Sequence, residues 1–96
     1  MNVKLDPDFL KKLKRVDVRI QNSFKKKILI FQKNPNDPEL NDHTLREPYF
    51  GLRSIDITSD YRAIYEETTI GKDAVAYFSL LGTHQELYSP ASKIKL

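Results

Sequence analysis

The sequence predicts an α+β protein in which an antiparallel pair of helices packs against one face of a small antiparallel sheet. Two observations carry this prediction. Apolar residues before residue 32 recur at helical spacing, whereas those between residues 52 and 81 alternate with polar residues or form runs rich in strand-forming side chains. Three prolines, at positions 35, 38 and 48, lie between the two regions. The expected order is one strand, two helices and three strands.

The start of the chain predicts a short strand followed by a helix. Residues 2–5 alternate polar and apolar side chains, which suits a strand. Asp6 has a side chain that can cap the free amide groups of a helix, and Pro7 suits the first helical position. The apolar stripe of this first helix would consist of Phe9, Leu10 and Leu13.

A second helix is expected to begin near Asp17 and to end by Asn34, because Pro35 disfavours helical geometry in the residue before it. Its apolar side chains, at positions 20, 24, 28 and 31, recur at spacings of four, four and three residues. Two helices joined by so short a connection should form an antiparallel hairpin.

The second half of the chain predicts a loop and a three-stranded antiparallel meander. Residues 35–49 are expected to form a long loop that contains His43. The strands are expected at residues 52–57, 61–66 and 74–81, separated by turns at residues 58–60 and 69–72. Gly82 would end the last and most buried strand, with His84 at its mouth. The polar segment 89–96 is expected to be loosely ordered.

Length and composition limit the class of protein. Ninety-six residues predict one domain, spanning residues 1–96. The sequence contains no cysteine and no Gly-rich phosphate loop, so neither a metal nor a cofactor is predicted. The longest apolar run, residues 28–31, is too short to span a bilayer, and we expect no membrane partner and a cytoplasmic location. The net charge of +3 favours an anionic partner, such as nucleic acid or an acidic protein.

Both histidines lie in segments that also carry acids and arginines. His43 follows Asp42 in the predicted loop, and His84 follows the last predicted strand. Histidine titrates near neutral pH without help, so proton transfer would be expected at these two positions. Asp60, in the predicted turn, and Arg62, in the strand that follows it, could share one site with the histidines if folding brings the segments together.

The same residues also have structural interpretations. A histidine in a Pro-rich loop is most often exposed to solvent, and a histidine after a buried strand often caps loop carbonyls. Asp60 has the composition of a turn residue, and Arg62 could form an ion pair with a neighbouring acid. Tyr88 could close the edge of the core. The spacing of the residues leaves the catalytic and the structural interpretations open.

Three segments resemble the RelE/ParE superfamily of bacterial and archaeal type II toxins, and the YafQ-like branch most closely. They are Asp42-His43-Thr44-Leu45, the hairpin from Arg53 through Asp60-Tyr61 to Ile64-Tyr65, and the closing Gly82-Thr83-His84-Gln85-Glu86-Leu87-Tyr88. The order of the predicted elements is similar to that of the superfamily over nearly the whole chain. The resemblance therefore implies the β-α-α-β-β-β fold of these toxins.

The resemblance also implies a toxin that cuts messenger RNA on the ribosome and is neutralised by a cognate antitoxin. The expected partners are the ribosome with its mRNA, and an antitoxin that forms a hetero-oligomer with the toxin. The residues that match active-site positions of the YafQ-like branch are His43, Asp60, Tyr61, His84 and Tyr88. Asp56 stands where that branch has a further histidine, and this departure leaves the division of roles open.

Cleavage of RNA through its own 2′-hydroxyl needs a base, an acid and a cation, and it requires no metal. We predict His84 as the general acid and Asp60 or His43 as the general base. Arg62 is the predicted phosphate clamp, because a guanidinium matches two phosphate oxygens. Five further residues are predicted at the RNA site. Arg46 and Arg53 would contact phosphate, Tyr61 and Tyr88 would stack on bases, and Asp56 would act as a base or orient an imidazole.

Two other functions fit the same resemblance. A ParE-like inhibitor of DNA gyrase would share the fold but would leave both histidines unexplained. A catalytically weak binding module would pair with an antitoxin without cutting RNA, and the departure at Asp56 favours it.

Overall fold

The computed structural model describes residues 1–88, so the prediction for residues 89–96 falls outside the described residues. In chain order the helices and strands are β1 (Asn2–Leu5), α1 (Pro7–Arg15), α2 (Val18–Lys33), β2 (His43–Thr44), β3 (Arg53–Asp56), β4 (Tyr61–Ile70), β5 (Asp73–Thr83) and α3 (His84–Tyr88). A 3₁₀ helix, Pro38–Leu40, lies between α2 and β2. The predicted α+β class is confirmed, with the helical hairpin between the first strand and the meander.

The two long helices begin and end where the sequence predicts. The carboxylate of Asp6 accepts a hydrogen bond from the N–H of Asp8 at 2.9 Å, and that of Asp17 accepts one from the N–H of Arg19 at 2.7 Å. These bonds satisfy amide groups that have no partner within the helix. The second helix ends directly before Asn34, as the proline that follows requires.

The predicted meander is the centre of a five-stranded sheet with the order β1-β5-β4-β3-β2. The first strand pairs in parallel with β5, so that Val3 lies opposite Ala76. At the other edge β2 pairs antiparallel with β3, so that His43 lies opposite Ser54. The prediction that His43 lies in a loop is therefore wrong. Residues 43–44 have strand geometry because they pair with β3. A segment of two residues is too short for its periodicity to predict a strand.

The end of β5 also differs from the prediction. Gly82 was expected to end the strand, but it lies within β5 and pairs with Arg62 of β4. A Cβ at Gly82 would lie 3.3 Å from Oε1 of Glu86, which is tighter than most such contacts, and 3.4 Å from the side chain of Leu87, which is ordinary van der Waals contact. Glycine thus allows the short helix α3, which the sequence analysis did not predict, to fold back onto the strand that precedes it.

The main core lies between the helices and one face of the sheet. Phe78 of β5 is at its centre, with ring centroids 4.9 Å from Tyr65 and 5.5 Å from Phe31. Phe9 of α1 and Phe24 of α2 complete the aromatic group at 5.9 and 6.2 Å from Phe78. All five rings are buried. Tilted and edge-on contacts at these distances are those that aromatic pairs prefer.

Candidate active site

The face of the sheet opposite the helices carries both predicted proton carriers. Side chains of directly paired residues share a face, and successive residues of a strand alternate between faces. His43 pairs with Ser54 and Ser54 with Ile64, so His43 shares the face of Ile64 rather than the helix face. A second apolar cluster covers this face: it consists of Leu45, Ile64 and Leu87, with Tyr49, Leu52 and Tyr88 packed against them.

The helix α3 is held at its start by a capping box. The N–H of Thr83 donates to Oε1 of Glu86 at 2.8 Å, and the N–H of Glu86 donates to Oγ1 of Thr83 at 3.1 Å. The amide of Thr83 holds the pKa of Glu86 below its usual value, and the ammonium of Lys12, 3.2 Å away, adds to this shift. The cap turns the chain sharply at the end of β5 and leaves His84 as the first residue of α3.

Two contacts fix the position of His84. Its backbone N–H donates to the carbonyl oxygen of Asp60 at 3.1 Å, which ties α3 to the turn between β3 and β4. Its side chain lies on the same side of α3 as Tyr88, four residues later. The ring centroids of His84 and Tyr88 are 4.8 Å apart with an angle of 33° between the planes. The imidazole is exposed, so it can reach a substrate.

His43 is oriented by a hydrogen bond to the backbone. Its Nδ1 lies 2.7 Å from the carbonyl oxygen of Asn41, a residue in the left-handed conformation (φ +50°). A carbonyl oxygen only accepts, so the proton of the neutral ring is assigned to Nδ1. The lone pair of the neutral ring is then on Nε2. An imidazole in this tautomer can accept a proton from a substrate at Nε2.

A shallow hollow of about 260 Å³ lies beside His43. His43, Thr44, Leu45, Arg46 and Tyr88 line it. Since the ring of Tyr88 also stacks on His84, this tyrosine contacts the surroundings of both imidazoles. Arg46 is exposed and has no ion pair among residues 1–88. Tyr88 thus contacts the imidazole of His84 and also lines the hollow of His43 and Arg46.

The predicted phosphate clamp, Arg62, is engaged within the protein. Its Nε lies 2.9 Å from Oδ1 of Asp56, opposite it on β3, in an ion pair without hydrogen-bond geometry. The other oxygen of Asp56 accepts from Nδ2 of Asn41 at 3.2 Å. Nη1 of Arg62 also donates to carbonyl oxygens of the turn, at 3.0 to 3.2 Å, those of Thr58, Ser59 and Tyr61. Arg62 and Asp56 therefore brace the β3–β4 hairpin.

Arg53 and Tyr61 lie on the helix face of the sheet and not with the histidines. Tyr61 is half-buried and packs against the main core. Arg53 pairs with Tyr65, and its Nε lies 2.9 Å from Oδ1 of Asp42. Strand alternation separates both residues from the face of His43. The structure thus brings Arg46 to the hollow and leaves Arg53 on the opposite side.

Asp42 anchors the segment that carries His43. Its carboxylate is almost fully buried and accepts hydrogen bonds from Nε of Arg53 and from the hydroxyl of Tyr65. Burial raises the pKa of Tyr65, and the bond to Asp42 raises it further. Burial disfavours the charged form of Arg53, but the hydrogen bond and charge of Asp42 outweigh this and raise its pKa. With Asp42 held on the helix side, the next residue faces the hollow.

Asp60 is exposed in the turn before β4. It lines a second hollow, of about 370 Å³, together with Ser59, Thr83, His84 and Gln85. Its backbone N–H donates to Oγ1 of Thr58 at 3.2 Å, as expected for a turn residue. Asp60 therefore has both the structural role that its composition indicates and a place beside His84.

Two supporting residues of the site were missed by sequence reasoning. Tyr49 donates a hydrogen bond to the carbonyl of Leu87, and Asp42 anchors the strand of His43. Asp42 belongs to the segment Asp42-His43-Thr44-Leu45, but no local pattern marks its anchoring role or that of Tyr49, because both residues act across the fold. The capping box Thr83-His84-Gln85-Glu86, in contrast, is readable in the sequence and could have predicted α3.

Two further findings concern the described part of the chain. Residues 1–88 contain no group of three or more histidine, aspartate or glutamate side chains arranged to hold a metal ion. Within the same range, no helix is both long and apolar enough to cross a bilayer.

Several solved structures have a similar fold. The chain is similar to YafQ from E. coli strain BL21(DE3), with a TM-score of 0.71 and 23% identity over 92% of this chain and 98% of that one. It is also similar to a YoeB/ParE toxin from Agrobacterium tumefaciens, with a TM-score of 0.69 and 17% identity over 88% and 99% of the two chains. A third similar structure is an E. coli RelE mutant in complex with a RelB antitoxin peptide. Its TM-score is 0.64, with 23% identity over 99% of this chain and 97% of that one. At these identities the likeness is one of fold.

The sequence itself identifies the family. None of the curated proteins compared with the chain matches it. The family model described as the ParE toxin of the type II toxin–antitoxin system parDE matches residues 3–88, which include both helices of the hairpin, α3 and all of the sheet except its first residue. This chain therefore belongs to the ParE toxin family of type II toxin–antitoxin systems, within the RelE/ParE superfamily and with YafQ among its structural relatives.

Proposed function

We propose that the protein is a toxin that cuts messenger RNA on the ribosome, by attack of a ribose 2′-hydroxyl on the adjacent phosphate and without a metal. One observation carries the proposal: Tyr88 lines the hollow of His43 and Arg46 while its ring stacks on His84. Two proton carriers near Tyr88 and an exposed guanidinium are the groups that this reaction requires.

The roles follow from the contacts of each residue. His43 is the general base, because its neutral ring carries the proton on Nδ1 and has the Nε2 lone pair free. His84 is the general acid, with Asp60 beside it as the alternative base. Arg46 binds the phosphate, since Arg62 is paired with Asp56 and Arg53 with Asp42.

The reaction needs two proton transfers. His43 takes the proton of the 2′-hydroxyl, and that oxygen forms a bond to phosphorus. The bond from phosphorus to the 5′-oxygen breaks, and His84 donates a proton to the leaving oxygen. The products are a 2′,3′-cyclic phosphate and a free 5′-hydroxyl. Arg46 stabilises the charge on the phosphate oxygens, and Tyr88 offers a ring for stacking on a splayed base.

Cleavage of mRNA in purified translating ribosomes tests the proposal. The wild-type protein should produce new 5′ ends on the translated message. His43→Ala and His84→Ala should each lower the rate by roughly 10²- to 10⁴-fold, the range for loss of a general acid or base. Asn22→Ala, an exposed change on α2, is the control and should leave the rate unchanged. A wild-type protein that leaves ribosome-bound mRNA intact contradicts the proposal, as does a His84→Ala variant as active as wild type.

We also propose that the helical hairpin binds a cognate antitoxin. The RelE relative was solved with an antitoxin peptide. Here the hairpin exposes three large apolar side chains, with Val18 64%, Leu29 62% and Leu10 38% exposed. Basic side chains surround them: Lys11, Lys14, Arg15, Arg19, Lys25 and Lys26 are all exposed. An acidic amphipathic segment would complement this surface in charge and in apolar area. Leu29→Glu should weaken binding of the cognate antitoxin in calorimetry; unchanged affinity would contradict this docking site.

Inhibition of DNA gyrase is the second candidate function, and the description of the matching family as ParE toxins favours it. Gyrase inhibition requires no proton transfer, so His43→Ala and His84→Ala would retain it. A supercoiling assay with purified gyrase separates the two functions. Inhibition of supercoiling together with intact ribosome-bound mRNA would support the gyrase inhibitor.

A catalytically weak binding module is the remaining alternative. It is favoured by Asp56, which stands where YafQ-like toxins have a histidine and which here pairs with Arg62. Such a protein would bind the antitoxin tightly but would neither cut mRNA nor inhibit gyrase. Expression of the toxin alone would then leave growth unaffected.

A further inference from the structure

Tyr49 connects the turn after β2 to the end of α3. Its hydroxyl donates to the carbonyl oxygen of Leu87 at 2.5 Å. Its ring meets that of Tyr88 edge-on, with centroids 5.3 Å apart and an angle of 83° between the planes. The last carbonyls of a helix have no partner within the helix, so this hydroxyl supplies a cap from outside it.

The helix that Tyr49 caps is only one turn long. A helix of five residues does not persist by its own hydrogen bonds, because nucleation is unfavourable and few bonds follow. It is held at its start by the capping box of Thr83 and Glu86 and at its end by Tyr49. The ring of Tyr49 contacts that of Tyr88, and the ring of Tyr88 contacts that of His84. A movement of α3 relative to Tyr49 would therefore also move the imidazole of His84.

The turn that carries Tyr49 is itself closed by backbone hydrogen bonds. The N–H of Tyr49 donates to the carbonyl oxygen of Arg46 at 2.9 Å, and the N–H of Leu52 donates to the carbonyl oxygen of Tyr49 at 3.0 Å. The N–H of Leu45 donates to the carbonyl oxygen of Leu52 at 3.0 Å. Arg46 and Tyr49 therefore belong to one compact turn. The bond of Tyr49 to Leu87 therefore ties the backbone of Arg46 to the end of α3.

We propose that Tyr49 is a positioning residue, which holds Tyr88 and through it His84 in register with Arg46 across the hollow. It touches no substrate in this role. Its effect on cleavage rests on the proposed function, whereas its effect on the orientation of His84 does not. Loss of the Tyr49 hydroxyl leaves both binding groups, Arg46 and Tyr88, present but misaligns His84, so it should affect turnover more than affinity.

Two variants separate this role from general stability. Tyr49→Phe keeps the ring and removes the hydroxyl that caps Leu87. Tyr77→Phe is the matched control, because Tyr77 also loses a hydroxyl hydrogen bond of 2.5 Å, here to Asp6 at the start of α1. In proton NMR of the free protein, the ring of Tyr88 shields the imidazole protons of His84. These resonances should move downfield in Tyr49→Phe and stay in place in Tyr77→Phe. Unchanged His84 resonances in Tyr49→Phe overturn the proposal.

The kinetic measurement uses ribosome-bound mRNA. Tyr49→Phe should lower kcat by roughly tenfold to hundredfold, as for a catalytic group displaced by a fraction of an ångström to an ångström. KM should stay within about twofold, because the phosphate and stacking groups remain. Tyr77→Phe should match the wild type in both. A shifted His84 resonance with unchanged kcat overturns the positioning role. If the wild type cuts no mRNA, the proposed function fails, and the NMR comparison alone decides whether Tyr49 orients His84.

Discussion

Replacement of Asp42 by asparagine should destabilise the fold and release the strand of His43. The carboxylate of Asp42 is 5% exposed and binds Nε of Arg53 at 2.9 Å and the hydroxyl of the fully buried Tyr65. The asparagine side chain would keep the shape of the carboxylate but lose its charge, which leaves a guanidinium without its ionic partner.

The size of the effect follows from the burial of the partners. Hydrogen bonds to a charged group contribute about 1.5–3 kcal/mol, and loss of one partner of a fully buried ion pair costs about 3–5 kcal/mol. Arg53 is 31% exposed, so water compensates part of the loss. We expect Asp42→Asn to lower the free energy of unfolding by about 2–3 kcal/mol. In a protein of this size that corresponds to a fall in Tm of about 10–20 °C.

Urea unfolding followed by far-UV circular dichroism measures this change. Asp73→Asn, the same substitution at an exposed position at the start of β5, is the control and should change stability by less than about 0.5 kcal/mol. A double-mutant cycle of Asp42→Asn with Tyr65→Phe should show a coupling of about 0.5–3 kcal/mol, because the two side chains share a hydrogen bond. An Asp42→Asn variant as stable as Asp73→Asn would refute the anchoring role.

Three further predictions concern α3 and the turn before β3. Leu87→Ala should cost about 2–3 kcal/mol in urea unfolding, since Leu87 is 6% exposed against Leu45 and Ile64; a neutral result would mean that α3 does not pack in solution. The fold lowers the pKa of Glu86, so its contribution to stability is complete above its ordinary pKa of 4.5 and is lost as the pH falls through the folded value. Glu86→Gln should therefore flatten the decline of Tm below pH 4.5, and an identical decline in both proteins would contradict this. Phe50→Ser should leave stability within about 0.5 kcal/mol, because Phe50 is 79% exposed; a larger loss would show that its ring is packed.

The helical half of the molecule was predictable because its signals are local. Asp6 and Asp17 bond to amides two residues ahead, and Pro35 acts on the residue directly before it. The spacing of Phe24 and Phe31 is enough to place both on the buried side of α2. Each of these effects operates within a few residues, so the order of amino acids contains the whole cause.

The edges of the sheet were not predictable in the same way. His43 and Thr44 form a strand because β3 lies beside them. A segment of two residues contains no sequence pattern that predicts this pairing. The roles of the arginines have the same origin. Arg62, predicted to bind the phosphate, faces Asp56 across a hairpin whose register is a property of the folded sheet.

The amino-acid sequence by itself determined the α+β class, the two helices with their caps, and the family to which the chain belongs, because periodicity, capping and motif spacing are all carried by neighbouring residues. Tertiary structure alone decided which side chains share the hollow. Alternation along β2 and β3 turns His43 toward Tyr88 and Arg53 away from it, and a shift of one residue in pairing would reverse both. That register is set by long-range packing of Asp42, Tyr65 and the core, which no local pattern of residues encodes.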